Sequence, residues 1–474
     1  MKKNTIWYVV IGLSLAAFLI YANDGGTTRQ KNSGKNFMKT EEPAGTNQKT
    51  NQKLPIPPLL EDKNPEEGKA EFNLAVQYGK TEFIEGHETD TLGYNGNYLG
   101  PVIKVNQGDE VKINVDNTLD EPTTVHWHGL EVPAEMDGGP RQVVDSHSEW
   151  NPHFTIDQPA ATLWYHPHLL GKTGEQVYKG LAGLFYIEDE KSKELAIPKE
   201  HGVNDIPLVV QDKRFTEGGD IPYELDMRDV MNGFLGDTVL INGAVEPELD
   251  IKNEVVRLRV LNGSNARTYD FNFSDQTPFY QIASDGGFLK DSVEMTSLTL
   301  APAERAEILV DFSDYNVGDK VTFNDADNNL MTINITEDSQ GKTAIPSDLV
   351  DIPKYNKEDI SRTREFVMSG MGPMVAINDK QMDENRLDEE VKLNELEEWV
   401  ITNESSGGMG MMSGTAHPFH VHGTQFKIIE RNGKEPPLNE QGWKDTVLVE
   451  TGAEVKVLAV FKKEGLFMYH CHIL

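Results

Sequence analysis

Val111-Lys112-Ile113-Asn114-Val115-Asp116-Asn117 is the stretch that decides the fold, because it alternates apolar and polar residues and ends in asparagine. The same phrase returns as Val256-Arg257-Leu258-Arg259-Val260-Leu261-Asn262 and as Glu398-Trp399-Val400-Ile401-Thr402-Asn403. Alternation with a period of two is typical of a β-strand with one buried face. The closing asparagines are 145 and 141 residues apart, so the spacing predicts three repeated β-units.

The composition supports an all-β chain of three Greek-key β-sandwiches. Its 474 residues include 41 Gly and 24 Pro, which suits short strands joined by turns. The 19 Phe, 14 Tyr and 6 Trp supply apolar surface for several cores. We predict domains at 66–195, 204–350 and 360–474. No histidine lies between His201 and His417, so we expect the second domain to be a scaffold.

Charge and cysteine content exclude two classes of protein. The formal net charge is −33, and a chain this acidic repels phosphate backbones, which argues against a nucleic-acid partner. The single cysteine, Cys471, rules out an internal disulfide framework. We interpret most of the acidic excess as a solvated surface.

The N-terminus predicts export. Lys2 and Lys3 precede an apolar run from Ile6 to Ala22, the pattern of a secretory signal. Residues 1–22 are interpreted as an uncleaved membrane anchor in preference to a cleaved signal peptide. Residues 23–65 are predicted to be a flexible linker. We therefore expect a protein at the cell surface or in a periplasmic or extracellular space, attached to the membrane through this segment.

Nine of the 13 histidines fall into four tight clusters. Because alternate side chains of a strand share a face, each His-x-His pair can present two imidazoles to one metal centre. Imidazole suits copper, zinc, iron and nickel alike, but a thiolate beside imidazole is typical of a blue-copper site. Cys471 lies between two histidines, so its sulfur is predicted to face away from them. The clusters are His126/His128, His166/His168, His417/His420/His422 and His470/His472.

The motifs resemble those of the multicopper oxidases, the family of laccases, bilirubin oxidases and bacterial cuprous oxidases. The resemblance extends from about residue 70 to the end of the chain and is greatest to the cuprous oxidases. The resemblance implies a fold of three cupredoxin-like domains. The motifs, in family order, are His126-Trp127-His128-Gly129-Leu130, Trp164-Tyr165-His166-Pro167-His168, His417-Pro418-Phe419-His420-Val421-His422-Gly423 and His470-Cys471-His472.

The resemblance implies four copper ions: one type 1, one type 2 and two type 3. Substrate would give single electrons to the type 1 ion, and O2 would be reduced to water by four electrons at the other three. Asp137 matches an acidic residue that assists proton delivery in the family, or it is simply a turn residue before Gly138. The implied ligands are Cys471 and His417 for type 1, His126 and His420 for type 2, and two type 3 trios, His128/His166/His472 and His168/His422/His470.

The family motif continues beyond the end of this chain. It normally includes a second type 1 histidine and an axial methionine after His-Cys-His, whereas the sequence ends at Ile473-Leu474. From this we expect the sequence to be a fragment of a longer product, with the third sandwich incomplete.

Methionines suggest a substrate. Met409, Met411 and Met412 lie just before His417 in a glycine-rich stretch, and thioethers favour soft Cu(I). The alternative is that these residues simply fill space in a loop. We therefore predict oxidation of cuprous ions in copper tolerance, with a laccase-like oxidase of phenols or aromatic amines as the rival.

Two non-oxidase functions are also open. A copper-buffering envelope protein would keep the histidines without turnover, whereas a structural envelope protein would have lost them. Copper nitrite reductase has no use for four His-x-His pairs. We expect a monomer whose partners are O2 and either Cu(I) or a small aromatic substrate.

Overall fold

Short strands joined by turns make up most of the computed structural model, which describes residues 52–64, 66–341, 344–370, 375–404 and 415–474. None of the helices in these ranges is long and apolar enough to cross a membrane. The predicted anchor, 1–22, lies outside the described residues. The helices are α1 (Thr173–Tyr178), α2 (Glu190–Glu194) and α3 (Met227–Asn232), with short 3-10 turns at Ala134–Met136, Lys357–Asp359 and Leu438–Glu440.

The first unit is a sandwich of two sheets, whose inner faces bury Phe72, Ile113, Trp127 and Phe185. Its strands are β1 (Lys69–Ile84), β2 (His87–Tyr94), β3 (Ile103–Asn106), β4 (Glu110–Asn117), β5 (His126–His128), β6 (Ser148–Trp150), β7 (His153–Thr155), β8 (Ala161–His166) and β9 (Gly183–Glu188). One sheet has the order β2-β1-β4-β6, with β7 also paired to β4, and the other has the order β3-β9-β8-β5.

The second unit is the largest sandwich, with a core that includes Leu258, Phe271, Ile308 and Phe323. Its strands are β10 (Asp205–Lys213), β11 (Thr238–Ile241), β12 (Ala244–Val245), β13 (Glu248–Lys252), β14 (Val255–Asn262), β15 (Tyr269–Phe273), β16 (Phe279–Ser284), β17 (Gly287–Met295), β18 (Ser297–Leu300), β19 (Arg305–Asp311), β20 (Lys320–Asp325) and β21 (Asn328–Glu337). Its sheets have the orders β12-β11-β10-β14-β19-β16-β17 and β13-β21-β20-β15-β18.

The third unit has a core of Phe366, Trp399, Phe419 and Val457. Its strands are β22 (Ile360–Ser369), β23 (Ala376–Ile377), β24 (Leu396–Asn403), β25 (His417–Val421), β26 (Phe426–Arg431), β27 (Thr446–Val449), β28 (Glu454–Val460) and β29 (Tyr469–Cys471). The sheet orders are β23-β22-β24-β28-β26 and β27-β25-β29. The chain is therefore all-β with three cupredoxin-like sandwiches, as predicted.

The repeated phrase forms the same strand in each unit. β4, β14 and β24 each pair in parallel with the first strand of their own unit, which is β1, β10 or β22. Each also has an antiparallel neighbour on its other side. The sequence repeat therefore reflects a repeated sheet topology.

The asparagine that ends each phrase has a structural reason. All three side chains are buried, and each amide nitrogen donates to backbone carbonyls of a segment distant in sequence. A buried carbonyl left without a donor is costly, so an amide at this position stabilises the end of the strand. The bonds run from Asn117 Nδ2 to Val144 O (3.0 Å), from Asn262 Nδ2 to Leu300 O (2.9 Å) and from Asn403 Nδ2 to Val449 O (2.9 Å).

Part of the predicted linker is ordered, which corrects the expectation for residues 52–64. The backbone N–H of Leu54 donates to Glu248 O (2.9 Å), and the Leu54 side chain joins the core of the second unit. Lys53 Nζ lies 2.8 Å from Asp250 Oδ1. Three prolines between 54 and 64 favour an extended backbone without internal hydrogen bonds, which leaves it free to pair with neighbouring segments.

Candidate metal centre

Strands of the first and third units bring the eight predicted cluster imidazoles together. In the first unit β5 pairs with β8 so that His126 lies opposite His166. In the third unit β25 pairs with β29 so that His420 lies opposite His470. Alternation places His128 on the same face of β5 as His126, whereas His168, His422 and His472 lie just beyond the ends of β8, β25 and β29. The two faces meet, and the rings of His128 and His420 stack with centroids 3.8 Å apart.

His126 and His420, the predicted type 2 pair, have matching environments. His126 Nδ1 lies 2.9 Å from Asp137 O, and His420 Nδ1 lies 2.8 Å from Asp445 O. A carbonyl oxygen only accepts, so each Nδ1 carries the proton and each Nε2 carries a lone pair. Both Nε2 atoms are buried and have no hydrogen-bond partner among the described residues. Such an arrangement is typical of imidazole ligands held in one orientation for a metal.

His168, His422 and His470 converge through Nε2. The Nε2 atom of His470 lies 3.1 Å from that of His168 and 3.1 Å from that of His422. His422 Nδ1 donates to Asp137 Oδ2 (2.8 Å), and His470 Nδ1 donates to Cys471 O (2.9 Å). The Nε2 atoms of His422 and His470 therefore both carry lone pairs, which repel one another unless a cation lies between them.

The remaining predicted trio is less tightly gathered. His128 Nδ1 lies 3.3 Å from His166 Nε2, and His166 Nδ1 donates to Pro167 O (2.7 Å). The ring of His472 lies beside them, with centroid distances of 5.1 Å to His128 and 5.3 Å to His166. Both of its nitrogens are buried and without a partner among the described residues, and it joins none of the ligand groups that converge within 4.8 Å.

Burial keeps six of these imidazoles neutral. It lowers the pKa of His128 and of His470 to about 3, and it lowers the pKa values of His166, His168, His420 and His472 well below the usual range. Neutral imidazole is the form that binds a metal ion. Neutral rings, fixed tautomers and inward nitrogens without partners together fit a cluster of imidazole-bound ions, copper among them.

Cys471 and His417 meet on the other face of the same strands. Cys471 Sγ lies 3.3 Å from His417 Nδ1, and Cys471 pairs in register with Phe419. The sulfur thus points away from His470, as strand alternation predicts. Burial raises the pKa of Cys471 to about 12, so a bound cation is needed to stabilise the thiolate.

Asp137 is a turn residue, which is one of the two predicted alternatives, and it also contacts two cluster histidines. It follows the 3-10 turn Ala134–Met136 and precedes Gly138, which has φ +75°. Burial favours its protonated form, but His126 and His422 outweigh this and lower the pKa of Asp137. Its Oδ1 is buried with no partner among the described residues.

The sequence analysis missed Asp445 and Arg305. Asp445 is fully buried, and its Oδ1 lies 3.0 Å from His128 Nε2. Arg305 forms a two-bond pair with Asp445, at 2.8 and 2.6 Å. The one sequence cue was a charged pair, Lys444-Asp445, directly before the apolar strand β27.

A cavity of about 730 Å³ lies against this centre. Asp137, His417 and Cys471 line it. The predicted Cu(I) residues Met409, Met411 and Met412 lie outside the described residues. Three described methionines, Met231, Met382 and Met468, line the same cavity.

The chain matches known proteins over most of its length. Three family models described as multicopper oxidase match residues 75–192, 222–341 and 348–474. The chain is 43% identical to multicopper oxidase mco of Staphylococcus haemolyticus over 88% of this chain and 89% of that protein. It is also 35% identical to cell division protein FtsP of Xenorhabdus nematophila, over 89% of each chain.

A solved structure agrees with the sequence matches. The crystal structure of a laccase from Pediococcus acidilactici superposes with a TM-score of 0.85 at 40% identity, covering 89% of this chain and 90% of that one. Because similarity of this extent reaches from the first sandwich to the third, the chain belongs to the multicopper oxidase family, as a copper-dependent oxidoreductase with O2 as its acceptor.

Proposed function

We propose that this enzyme oxidises cuprous ions beside Cys471 and His417 and reduces O2 to water at the eight-histidine cluster, in the service of copper tolerance. The observation that carries the proposal is the convergence of eight imidazoles, seven of them buried and His470 partly so. The two at the centre, His126 and His420, keep an inward Nε2 without a partner among the described residues.

The proposed ligands are the ones predicted from sequence. Bound copper would supply one-electron redox chemistry on the cysteine side and multi-electron reduction of O2 on the histidine side. Cys471 and His417 would hold the type 1 ion, His126 and His420 the type 2 ion, and His128/His166/His472 and His168/His422/His470 the two type 3 ions.

Cys471 would connect the two centres through its own backbone. Its sulfur faces His417, while its carbonyl oxygen accepts from His470 Nδ1 at 2.9 Å. The flanking histidines point into the cluster. A covalent and hydrogen-bonded path of a few bonds therefore runs from the substrate side to the O2 side.

Asp137 would assist proton delivery. Its Oδ2 orients His422, while its Oδ1 is free to accept a proton. The residue also lines the cavity. A carboxylate that lies between the cavity and the cluster can relay a proton, and its lowered pKa favours release of that proton.

Thioethers and charge support Cu(I) as the substrate. Met231, Met382 and Met468 line the cavity next to Cys471, and soft sulfur ligands select Cu(I). The predicted site at Met409, Met411 and Met412 would add to this set. The net charge of −33 draws cations towards the protein at low ionic strength.

A laccase-like activity is the second candidate. Leu225, Leu387 and Leu466 are exposed and line the same cavity, so a small aromatic ring has apolar surface to contact. The Pediococcus acidilactici relative is described as a laccase. The same proton and electron paths would serve this substrate.

The decisive experiment measures copper content and O2 consumption on one preparation. We expect about four coppers per chain, and O2 uptake that is faster with Cu(I) than with a phenol. His166→Ala should lose cluster copper and O2 uptake, whereas His147→Ala should lose neither, because His147 is an exposed partner of Asp120. Faster phenol oxidation would favour the laccase, and full copper content without O2 uptake would favour a buffering role.

The remaining proposals concern location and organisation. We propose export through residues 1–22, attachment to the membrane, and a monomeric enzyme. The domain boundaries are proposed at 66–195, 204–350 and 360–474, and the strands of each unit fall within these ranges.

A further inference from the structure

We propose that Arg305, from the unit without cluster histidines, is a positioning residue that acts through Asp445 to make His128 present Nδ1 to the metal centre. Only the identity of the metal in this inference rests on the proposed function.

Arg305 is wholly buried at the start of β19, and all five of its side-chain N–H groups are used. Nε donates to Thr162 O in the first unit (3.2 Å). Nη1 donates to Ala303 O and Nη2 to Asp285 O, both in the second unit (3.0 and 2.9 Å). The second N–H of Nη1 and the second N–H of Nη2 donate to the carboxylate of Asp445 in the third unit. One guanidinium therefore joins all three sandwiches.

Asp445 connects Arg305 to two of the cluster histidines. Its carboxylate accepts from His128 Nε2 (3.0 Å), and its backbone carbonyl accepts from His420 Nδ1 (2.8 Å). The same carboxylate accepts from Gln425 Nε2 (2.9 Å) and Thr446 Oγ1 (3.0 Å). Every neighbour of the two oxygens is a donor, so Asp445 can only act as an acceptor towards His128.

This arrangement gives His128 the opposite tautomer from its neighbours. A neutral imidazole has one N–H and one lone pair. Because Nε2 must donate to Asp445, the lone pair of His128 is on Nδ1, which faces His166 Nε2. The opposite tautomer, with the proton on Nδ1 and the lone pair on Nε2, is found in His126, His420, His422 and His470.

Gly129, in the first sequence motif, is shaped to this pair. Its φ is +93°, and a Cβ there would lie 2.6 Å from Asp445 Oδ2 and 3.0 Å from Arg305 Nη2. Any larger residue directly after His128 would push the ion pair away from the ring. The Arg305–Asp445 pair thus lies between Nε2 of His128 and the backbone of Gly129.

A matched control exists in the same unit. Arg259 is buried and holds Asp205 with two bonds of 2.7 and 2.8 Å, but it touches none of the cluster histidines. Replacing it should remove a similar buried pair without changing an imidazole. Arg259→Lys therefore separates loss of stability from loss of positioning.

The test uses the full chain. Without copper, nitrogen-15 NMR of labelled histidines, with His128 assigned from its loss in His128→Gln, should report protonated Nε2 in the unmodified protein. Asp445→Asn and Arg305→Lys should lower that tautomer's population. With copper, competition against a chelator should show affinity about 10–100-fold weaker in both variants and unchanged in Arg259→Lys.

Protonated Nδ1 on His128 in the unmodified chain would overturn the inference even if no variant folded. So would unchanged tautomer and affinity in Asp445→Asn and Arg305→Lys, or an equal loss in Arg259→Lys. Absence of copper binding by the unmodified chain would instead contradict the proposed function, because the tautomer is measured without copper.

Discussion

Replacing Gly138 by alanine tests whether the turn after Asp137 positions the metal centre. Gly138 has φ +75°, and a Cβ built there would lie 1.7 Å from Val125 O. Real Cβ contacts essentially never fall below 3.0 Å, so the turn and the strand end must separate by about 1.3 Å. The left-handed conformation itself costs a non-glycine residue about 1–2 kcal/mol.

That separation should break the hydrogen bond from His126 Nδ1 to Asp137 O, which is 2.9 Å long. A buried polar group left unpaired costs about 1–3 kcal/mol. With the backbone strain, we expect Gly138→Ala to lower the free energy of unfolding by about 2–5 kcal/mol. Urea unfolding of the copper-free protein measures this loss. Electron paramagnetic resonance should also show that the copper proposed on His126 is lost or altered.

Gly433→Ala is the matched control. Gly433 has the same φ of +75°, but nothing lies within 4 Å of its added Cβ. It should lose only the strain, about 1–2 kcal/mol, and keep a normal copper spectrum. Equal losses of stability in the two variants, with an unaltered spectrum in Gly138→Ala, would refute the view that the turn positions His126.

Three further outcomes are expected. Cys471→Ser should abolish blue absorption while the histidine cluster keeps its copper, as optical spectra and metal analysis would reveal; a serine variant that stays blue would contradict the assignment. Joint replacement of Met409, Met411 and Met412 by Leu should depress oxidation of Cu(I) far more than that of a bulky phenol, and equal losses in the two assays would argue for a structural loop. The copper-free protein should lose stability as the pH falls below about 6.5. In the unfolded chain His128 and His470 take up protons at that pH, whereas in the folded protein their pKa values of about 3 keep them neutral. Each of these two should cost about 2 kcal/mol at pH 5, and urea unfolding that does not change between pH 7 and pH 5 would contradict this.

The fold was predictable because its repeat is local. Alternation in Val111–Asn117 and Leu396–Asn403 matches strands with one buried face, and the spacing of the phrases counts the sandwiches. Val255–Asn262 differs because it is buried on both faces, where Arg257 and Arg259 form buried ion pairs. The parallel partner of each phrase could not be predicted, since pairing depends on contacts between distant segments. The ordering of Leu54 could not be predicted for a related reason: its proline-rich surroundings resemble a linker, and they are ordered only by contacts with the first and second units.

The histidine cluster was predictable for a similar reason, since each His-x-His pair needs only strand alternation to share a face. Cys471 also followed from alternation, and its sulfur meets His417 on the far face. Arg305 and Asp445 gave no such signal. They are 140 residues apart in the chain, and their contact with His128 arises only when the three sandwiches pack together.

The buried charges explain how a centre divided between two units is assembled accurately. The three Nε2 atoms of His168, His422 and His470 come from the first and third units and converge to 3.1 Å. Apolar contacts between sandwiches are non-directional and would tolerate sliding. A two-bond arginine–carboxylate pair has a narrow geometry, although burying it brings little net stability. Arg305 ties the second unit both to Thr162 of the first and to Asp445 of the third. The second unit therefore holds the two halves of the metal centre in register, although it supplies none of the proposed ligands.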